Sequence, residues 1–160
     1  MVIYIMCDFI CYMLVSLDTN HTYIGSTNNC IKRLQKHNSG KGARYTKGQT
    51  WVPVMTVSGF HHKNACLSFE AGWKKLSKKR SRQRLLLINE LGFNYQYSKD
   101  SRWNRVLDLL YFMHNITLLD TKFRLNANMQ HPLNPPELQI DIFFENWIKD
   151  LPWPYFVVIS

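Results

Sequence analysis

The sequence has few thiols and none placed to act together. Cys7, Cys11, Cys30 and Cys66 form no Cys-x-x-Cys pair, and no cysteine follows Cys66. Neither a zinc site nor a disulfide framework is indicated, which fits a reducing compartment. Long apolar runs are also missing: no stretch reaches the roughly eighteen residues a membrane span needs, so no membrane association is expected. The apolar start, Met1 to Leu17, is not patterned as an export signal. Asp8 interrupts it, no basic residue precedes it and no small-residue cleavage site follows. It reads as a buried strand. Internal repeats and low-complexity tracts are absent.

Acidic residues are scarce in one segment above all. From Cys30 to Arg84 the chain carries 14 of its 20 Lys and Arg but a single acid, Glu70, out of 11 in total. The net charge of +9 therefore resides in that segment. Such a concentrated positive field suits a polyanion, because each phosphate neutralised releases counterions. Nucleic acid is the first candidate and a solvated lysine-rich face is the plain alternative. With 160 residues, 46% of them hydrophobic, the chain is long enough for one domain with a real core and an appended element.

Periodicity gives the order strand, strand, helix, strand, helix, helix, an α/β (α+β) pattern. Ile10 to Leu17 and Thr22 to Ser26 flank the turn residues Asp18-Thr19-Asn20-His21 and predict a β-hairpin. Thr27 or Asn28 is expected to cap a helix running to Asn38, with Ile31 and Leu34 facing inward and Lys32, Arg33, Lys36 and His37 facing out. Pro53 to Phe60 reads as a third strand. Ala65, Phe69, Trp73 and Leu76 then recur at helical spacing, and Arg84 to Leu91 reads as another short helix. Beyond Tyr95, Trp103 to Met113 has an amphipathic helical pattern, a Pro-containing stretch covers Asn128 to Pro136, and Ile140 to Trp147 follows. This tail has too few basic residues for a nucleic-acid surface.

Several residues carry chemistry. Arg33 and His37 stand four apart on one helix and project from one face. Arg offers a planar donor fork to a phosphate and His can transfer a proton, or both are ordinary polar-face residues. Glu70 beside Phe69 is suited to a hard divalent cation, which takes one or two carboxylates and keeps waters. Equally, it is spaced to pair with Lys74. Tyr12 and Tyr23 sit on the two strands of the hairpin, so their rings can meet, either as a phenol pair beside a cationic site or as strand aromatics chosen for packing.

Together these residues resemble the ordered signature of the GIY-YIG nuclease superfamily. Tyr12, then Thr22-Tyr23-Ile24-Gly25, then Arg33 and His37, then Glu70 carry the resemblance. It is closest to the catalytic subunit of the eukaryotic structure-specific endonuclease that cuts flaps, forks and Holliday junctions. There it extends over Thr22 to Thr27, Arg33 to Asn38, Lys41-Gly42-Ala43, Thr46-Lys47-Gly48, Gly59-Phe60 and Phe69-Glu70. Ile10-Cys11-Tyr12 stands where the family name has Gly-Ile-Tyr, and no cysteine after residue 66 is present to build the RING-type zinc module of that subunit.

The resemblance, which runs from about Cys11 to Trp73, implies a small three-stranded antiparallel sheet flanked by helices; the nuclease domain is expected over residues 9–92, and the sequence beyond it reads as a mostly helical or irregular extension over 93–160. That extension is expected to pack on the nuclease domain or to bind a protein scaffold or a second copy. The implied activity is metal-dependent DNA endonuclease, hydrolysing a phosphodiester to a 5′ phosphate and a 3′ hydroxyl. Branched or flapped DNA in repair or recombination is the implied substrate. A sequence-specific homing-type nuclease and a catalytically silent DNA-binding or assembly module are the alternatives. By the same resemblance Tyr12 or Tyr23 activates water, Arg33 steadies the phosphate, His37 assists, and Glu70 holds one Mg²⁺ or Mn²⁺. Lys32, Lys36, Lys41, Arg44, Lys47, Lys74, Lys75, Lys78 and Lys79 are the expected DNA contacts. The expected location is intracellular, in the nucleus or another DNA-containing compartment.

Overall fold

The computed structural model describes residues 8–60, 62–78, 89–90, 101–119 and 138–160. The hairpin forms as expected: β1 (Ile10–Ser16) pairs antiparallel with β2 (Thr22–Thr27), with Tyr12 opposite Gly25 and Leu14 opposite Tyr23. Its turn is held by the Ser16 hydroxyl, which accepts from the backbone N–H groups of Asp18 and Thr19.

β1 also pairs antiparallel with β3 (Trp51–Ser58), and the register shifts between Met13 and Leu14. Met13 lies opposite Met55 while Leu14 lies opposite Pro53, so Val54 is the extra residue of a bulge. The bulge resets the alternation. Val54, Met55 and Val57 all join the large core, whereas Pro53 and Thr56 line a cavity on the opposite face.

The sheet has five strands, not the three expected. β4 (Leu138–Ile142) pairs antiparallel with β3, and β5 (Val157–Ile159) pairs parallel with β4, giving the order β2-β1-β3-β4-β5. The added strands are short, and although Leu138-Gln139-Ile140-Asp141-Ile142 alternates apolar and polar, the run is brief and stands far from the hairpin in sequence. Tertiary pairing with the open edge of β3 decides the matter. The α+β class is unchanged.

Two helices cover one face of the sheet. α2 (Lys63–Lys78) buries Ala65, Cys66, Phe69 and Trp73, and α3 (Ser101–Leu119) buries Val106, Leu107, Leu109, Leu110, Phe112 and Met113. Both stripes fall where helical spacing put them. Phe69 links the two helices, its ring centroid lying 5.1 Å from Phe60 and 5.0 Å from Phe112. Trp73 donates its indole N–H to the Arg105 carbonyl, so its one polar group is satisfied inside the core. Each such fully buried large side chain is worth about 1.5–3 kcal/mol. The segment Arg84–Leu91, the stretch Asn128–Pro136 and Lys79 lie outside the described residues apart from 89–90.

Among the described residues the other face is covered by α1 (Cys30–Asn38). Asn29, not Thr27 or Asn28, caps it, its side chain accepting from the Lys32 N–H. The C-terminal end is fixed to β3 by Asn38, which accepts from the Trp51 N–H at 2.7 Å and donates to the Trp51 carbonyl at 3.1 Å. The inward face is the expected one at Leu34, which packs against the Tyr12, Leu14 and Trp51 cluster, but not at Ile31 and His37. Ile31 is 73% exposed and His37 is fully buried. α1 packs on a sheet face that presents Tyr12, Tyr23 and Trp51, so the side chain that fits inward is the one able to bond a phenol.

Candidate active site

The face under α1 gathers four of the five residues expected to act. Tyr12 on β1 and Tyr23 on β2 approach with ring centroids 6.2 Å apart, and the Tyr23 ring lies 4.7 Å from that of His37. The Tyr12 hydroxyl is 2.9 Å from His37 Nε2, and Arg33 Nε donates to the same hydroxyl oxygen at 3.3 Å. One turn of α1 thus brings both of its polar residues onto one phenol.

The hydrogen bonds fix the direction of this chain. His37 Nδ1 is 2.8 Å from Thr46 Oγ1, and that hydroxyl donates its one proton to the Ala43 carbonyl, also at 2.8 Å. Thr46 can therefore only accept from the ring, which places the imidazole proton on Nδ1. Nε2 is then a lone pair, and Tyr12 must donate to it. The order is Arg33 N–H to Tyr12 O–H to His37, with His37 anchored by Thr46 and Ala43.

Burial and charge act on each member. Desolvation pushes the Tyr12 phenol well above its ordinary value, against the lowering effect of its bond from Arg33. His37 is lowered to about 4, chiefly by burial and further by the Arg33 cation. Arg33 is raised, mainly by its hydrogen bond to Tyr12. At neutral pH the cluster is therefore cation, neutral phenol and neutral imidazole.

Two glycines make the packing feasible. A Cβ at Gly25 would fall 2.5 Å from the Tyr12 hydroxyl and 2.9 Å from a ring carbon of Tyr23. A Cβ at Gly42 would fall 2.7 Å from His37 Nδ1 and 3.0 Å from its Cα. Thr46, Gly42 and Gly25 were not singled out by chemical reasoning on the sequence. Their only signal was membership of the short stretches that carry the family resemblance.

Glu70 stands at the β2 edge of the cluster. Ser26 donates its hydroxyl to Oε2 and Lys74 its ammonium to Oε1, both at 2.7 Å. Lys74 Nζ also lies 5.6 Å from the centroid of Tyr23, linking the carboxylate to the phenols. Among the described residues no group of three or more His, Cys, Asp or Glu is gathered to cage a metal. A partly open single carboxylate fits a hard cation that keeps most of its water, and not a soft-ligand centre. Of the two readings of Glu70 made from the sequence, the pairing with Lys74 forms.

Of the expected DNA contacts, Lys32, Lys36, Lys41, Arg44, Lys47 and Lys75 are exposed. They lie on α1, on the loop that follows it, and on α2. Lys74 differs, being engaged at Glu70. Among the described residues no helix is long and apolar enough to cross a membrane.

Residues 8–84 match the model of the GIY-YIG catalytic domain. The chain is 56% identical over 156 residues to the uncharacterized protein L300 of Acanthamoeba polyphaga mimivirus, covering 94% of both. It is 34% identical over 89 residues to a UPF0213 protein of Bacillus licheniformis, covering 56% of this chain and 92% of that one. To the structure-specific endonuclease subunit SLX1 of Malassezia globosa it is 45% identical over 71 residues, 42% of this chain and 16% of that protein. The chain belongs to the GIY-YIG nuclease family. It carries the catalytic domain of a DNA endonuclease.

Proposed function

We propose that the protein is a divalent-metal-dependent endonuclease that cuts branched or flapped DNA, in a compartment that holds DNA. The observation that carries the mechanism is the directed chain from Arg33 through Tyr12 to His37. Tyr12 takes a proton from the attacking water as it passes its own to Nε2, so the buried phenol never has to exist as a free phenolate. Neutral His37 keeps the lone pair that receives it. Arg33, one hydrogen bond from the phenol, opposes charge growing on the phosphoryl oxygens. Tyr23, less buried than Tyr12, orients the water or phosphate above the cluster.

Glu70 is the residue that would hold the cation, with Ser26 steadying its carboxylate. When bound, the ion supplies Lewis-acid stabilisation of the phosphate and the leaving oxygen. The exposed lysines and Arg44 hold the duplex by its backbone without reading bases. Similarity to a subunit named for structure-specific cleavage supports selection by shape.

The test is cleavage of a labelled 5′ flap, replication fork, four-way junction and plain duplex with Mg²⁺ or Mn²⁺, beside Glu70→Gln. Cutting of the branched DNAs that needs metal and is lost in Glu70→Gln is the expected result. Fixed-sequence cutting of plain duplex would instead identify a sequence-reading nuclease, and cleavage by Glu70→Gln equal to wild type would remove Glu70 from the site.

A further inference from the structure

Beside the catalytic cluster, between α1 and the β3–β4 side of the sheet, lies an open cavity of about 170 Å³. Tyr12 and Arg33 are among its lining residues, so it adjoins the catalytic cluster. The rest of the lining is apolar apart from Thr56 and Cys30. Ile31 and Leu34 come from α1, Pro53 from β3, and Phe143 from just beyond β4. Phe143 is 58% and Ile31 73% exposed, so two large apolar side chains of the lining face solvent. The Phe143 N–H donates to the Val54 carbonyl at 2.9 Å, so the ring is presented from an anchored backbone.

We propose that this cavity receives one unstacked base of the DNA strand being cut, from the nucleotide whose phosphate rests on Arg33. The inference rests on the nuclease reading and goes beyond it. A nucleotide is charged at the phosphate and flat and largely apolar across the base, matching a guanidinium followed one sugar away by an apolar slot. The size is right for one ring system: a cavity of about 150 Å³ accepts benzene, whereas pockets for larger ligands begin at about 300 Å³. Thr56 gives the only uncharged hydroxyl in the lining besides Tyr12, so the slot takes a base by stacking and shape without reading its edge. Drawing a base out of the stack is least costly where it is mismatched or already single-stranded. The slot thereby favours DNA at a branch over continuous duplex, and α1 and the segment after β4 share in that choice.

The full chain is bound, in EDTA, to a 5′-flap DNA in which one abasic nucleotide is moved stepwise across the branch, for wild type, Phe143→Ala and Ile31→Ala. Both side chains are exposed, so their truncation leaves the core intact. One position is expected to lose affinity about tenfold when abasic. Phe143→Ala is expected to lose a similar factor on intact DNA and nothing further at that position, because the two changes remove one contact. Ile31→Ala is expected to couple to the same position. Losses that multiply at every position, or no sensitive position at all, would overturn the slot. The readout needs no cleavage. Coupling without metal-dependent cutting would sink hydrolysis and leave the slot, whereas cutting without coupling would sink the slot alone.

Discussion

The phenol of Tyr12 lies across the backbone of Gly25, so close that a Cβ there would sit 2.5 Å from the hydroxyl oxygen. The two residues face each other across the β1–β2 ladder. Tyr12 is 3% exposed and bound by both His37 and Arg33, so the ring yields only by giving up those bonds. Gly25→Ala is therefore expected to break the bond to His37. Activity should fall by about 10²-fold or more, as misplacement by an ångström does, with a stability loss of about 1–3 kcal/mol from overpacking. Turnover and thermal melting measured on one preparation check this; full activity would mean that Tyr12 is not needed where it lies.

His37 should titrate near 4 and carry its neutral proton on Nδ1, both visible in ¹⁵N spectra of the ring. Its unfolded value is about 6.5, so the unfolded chain takes up a proton across that window and the folded chain does not. Stability is then full above pH 6.5, falls on acidification to about pH 4, and loses no more from this group below that. Thr46→Val removes the acceptor for Nδ1–H and should shift the ring toward the other tautomer, lowering cleavage about 10- to 100-fold. Thr46→Ser should restore both. An unchanged ¹⁵N signature in Thr46→Val would dismiss Thr46 as the positioning residue.

Lys74 Nζ, 2.7 Å from Glu70 Oε1, competes with a metal for the carboxylate. Lys74→Met keeps the length of the side chain and removes the charge. Affinity for Mn²⁺ without DNA, read by calorimetry, should rise about tenfold, since a cation this close opposes another. A lower affinity would make Lys74 a supporting partner of the metal site.

Ending the chain at Tyr97 removes β4 from the edge of β3 and strips Leu107, Leu110, Met113, Leu138 and Ile140 from the core. An open edge strand over exposed apolar surface aggregates. Insoluble or molten product is expected from circular dichroism and sedimentation; a soluble, active truncation would establish that the nuclease unit is complete without the tail.

What the sequence revealed follows what its periodicities could encode. The hairpin, α2 and α3 were legible because their apolar residues repeat at the period of a single element. β4 and β5 were not read, although Leu138–Ile142 alternates as a strand does, because three to five residues are a weak signal and no local pattern names β3 as the partner. Two positions of α1, Ile31 and His37, were misread, whereas Leu34 packs inward as expected. Hydropathy favours Ile31 over His37, but the surface beneath α1 is a phenol, and a hydrogen bond selects the imidazole. Arg33, His37, Tyr12 and Tyr23 could be listed from chemistry and family resemblance. Their wiring through Thr46 depends on a loop that brings residue 46 back to residue 37, which no local pattern contains.

The most direct measurement is single-turnover cleavage of a 5′-flap DNA by Tyr12→Phe, with DNA affinity determined alongside. The ring still fills its place and only the hydroxyl that joins Arg33 to His37 is lost. Cleavage lower by about 10²–10⁴-fold, the range typical for loss of a proton-transfer group, with unchanged affinity is the expected result. Cleavage equal to wild type would contradict proton transfer through Tyr12 and leave the Arg33–Tyr12–His37 chain as packing.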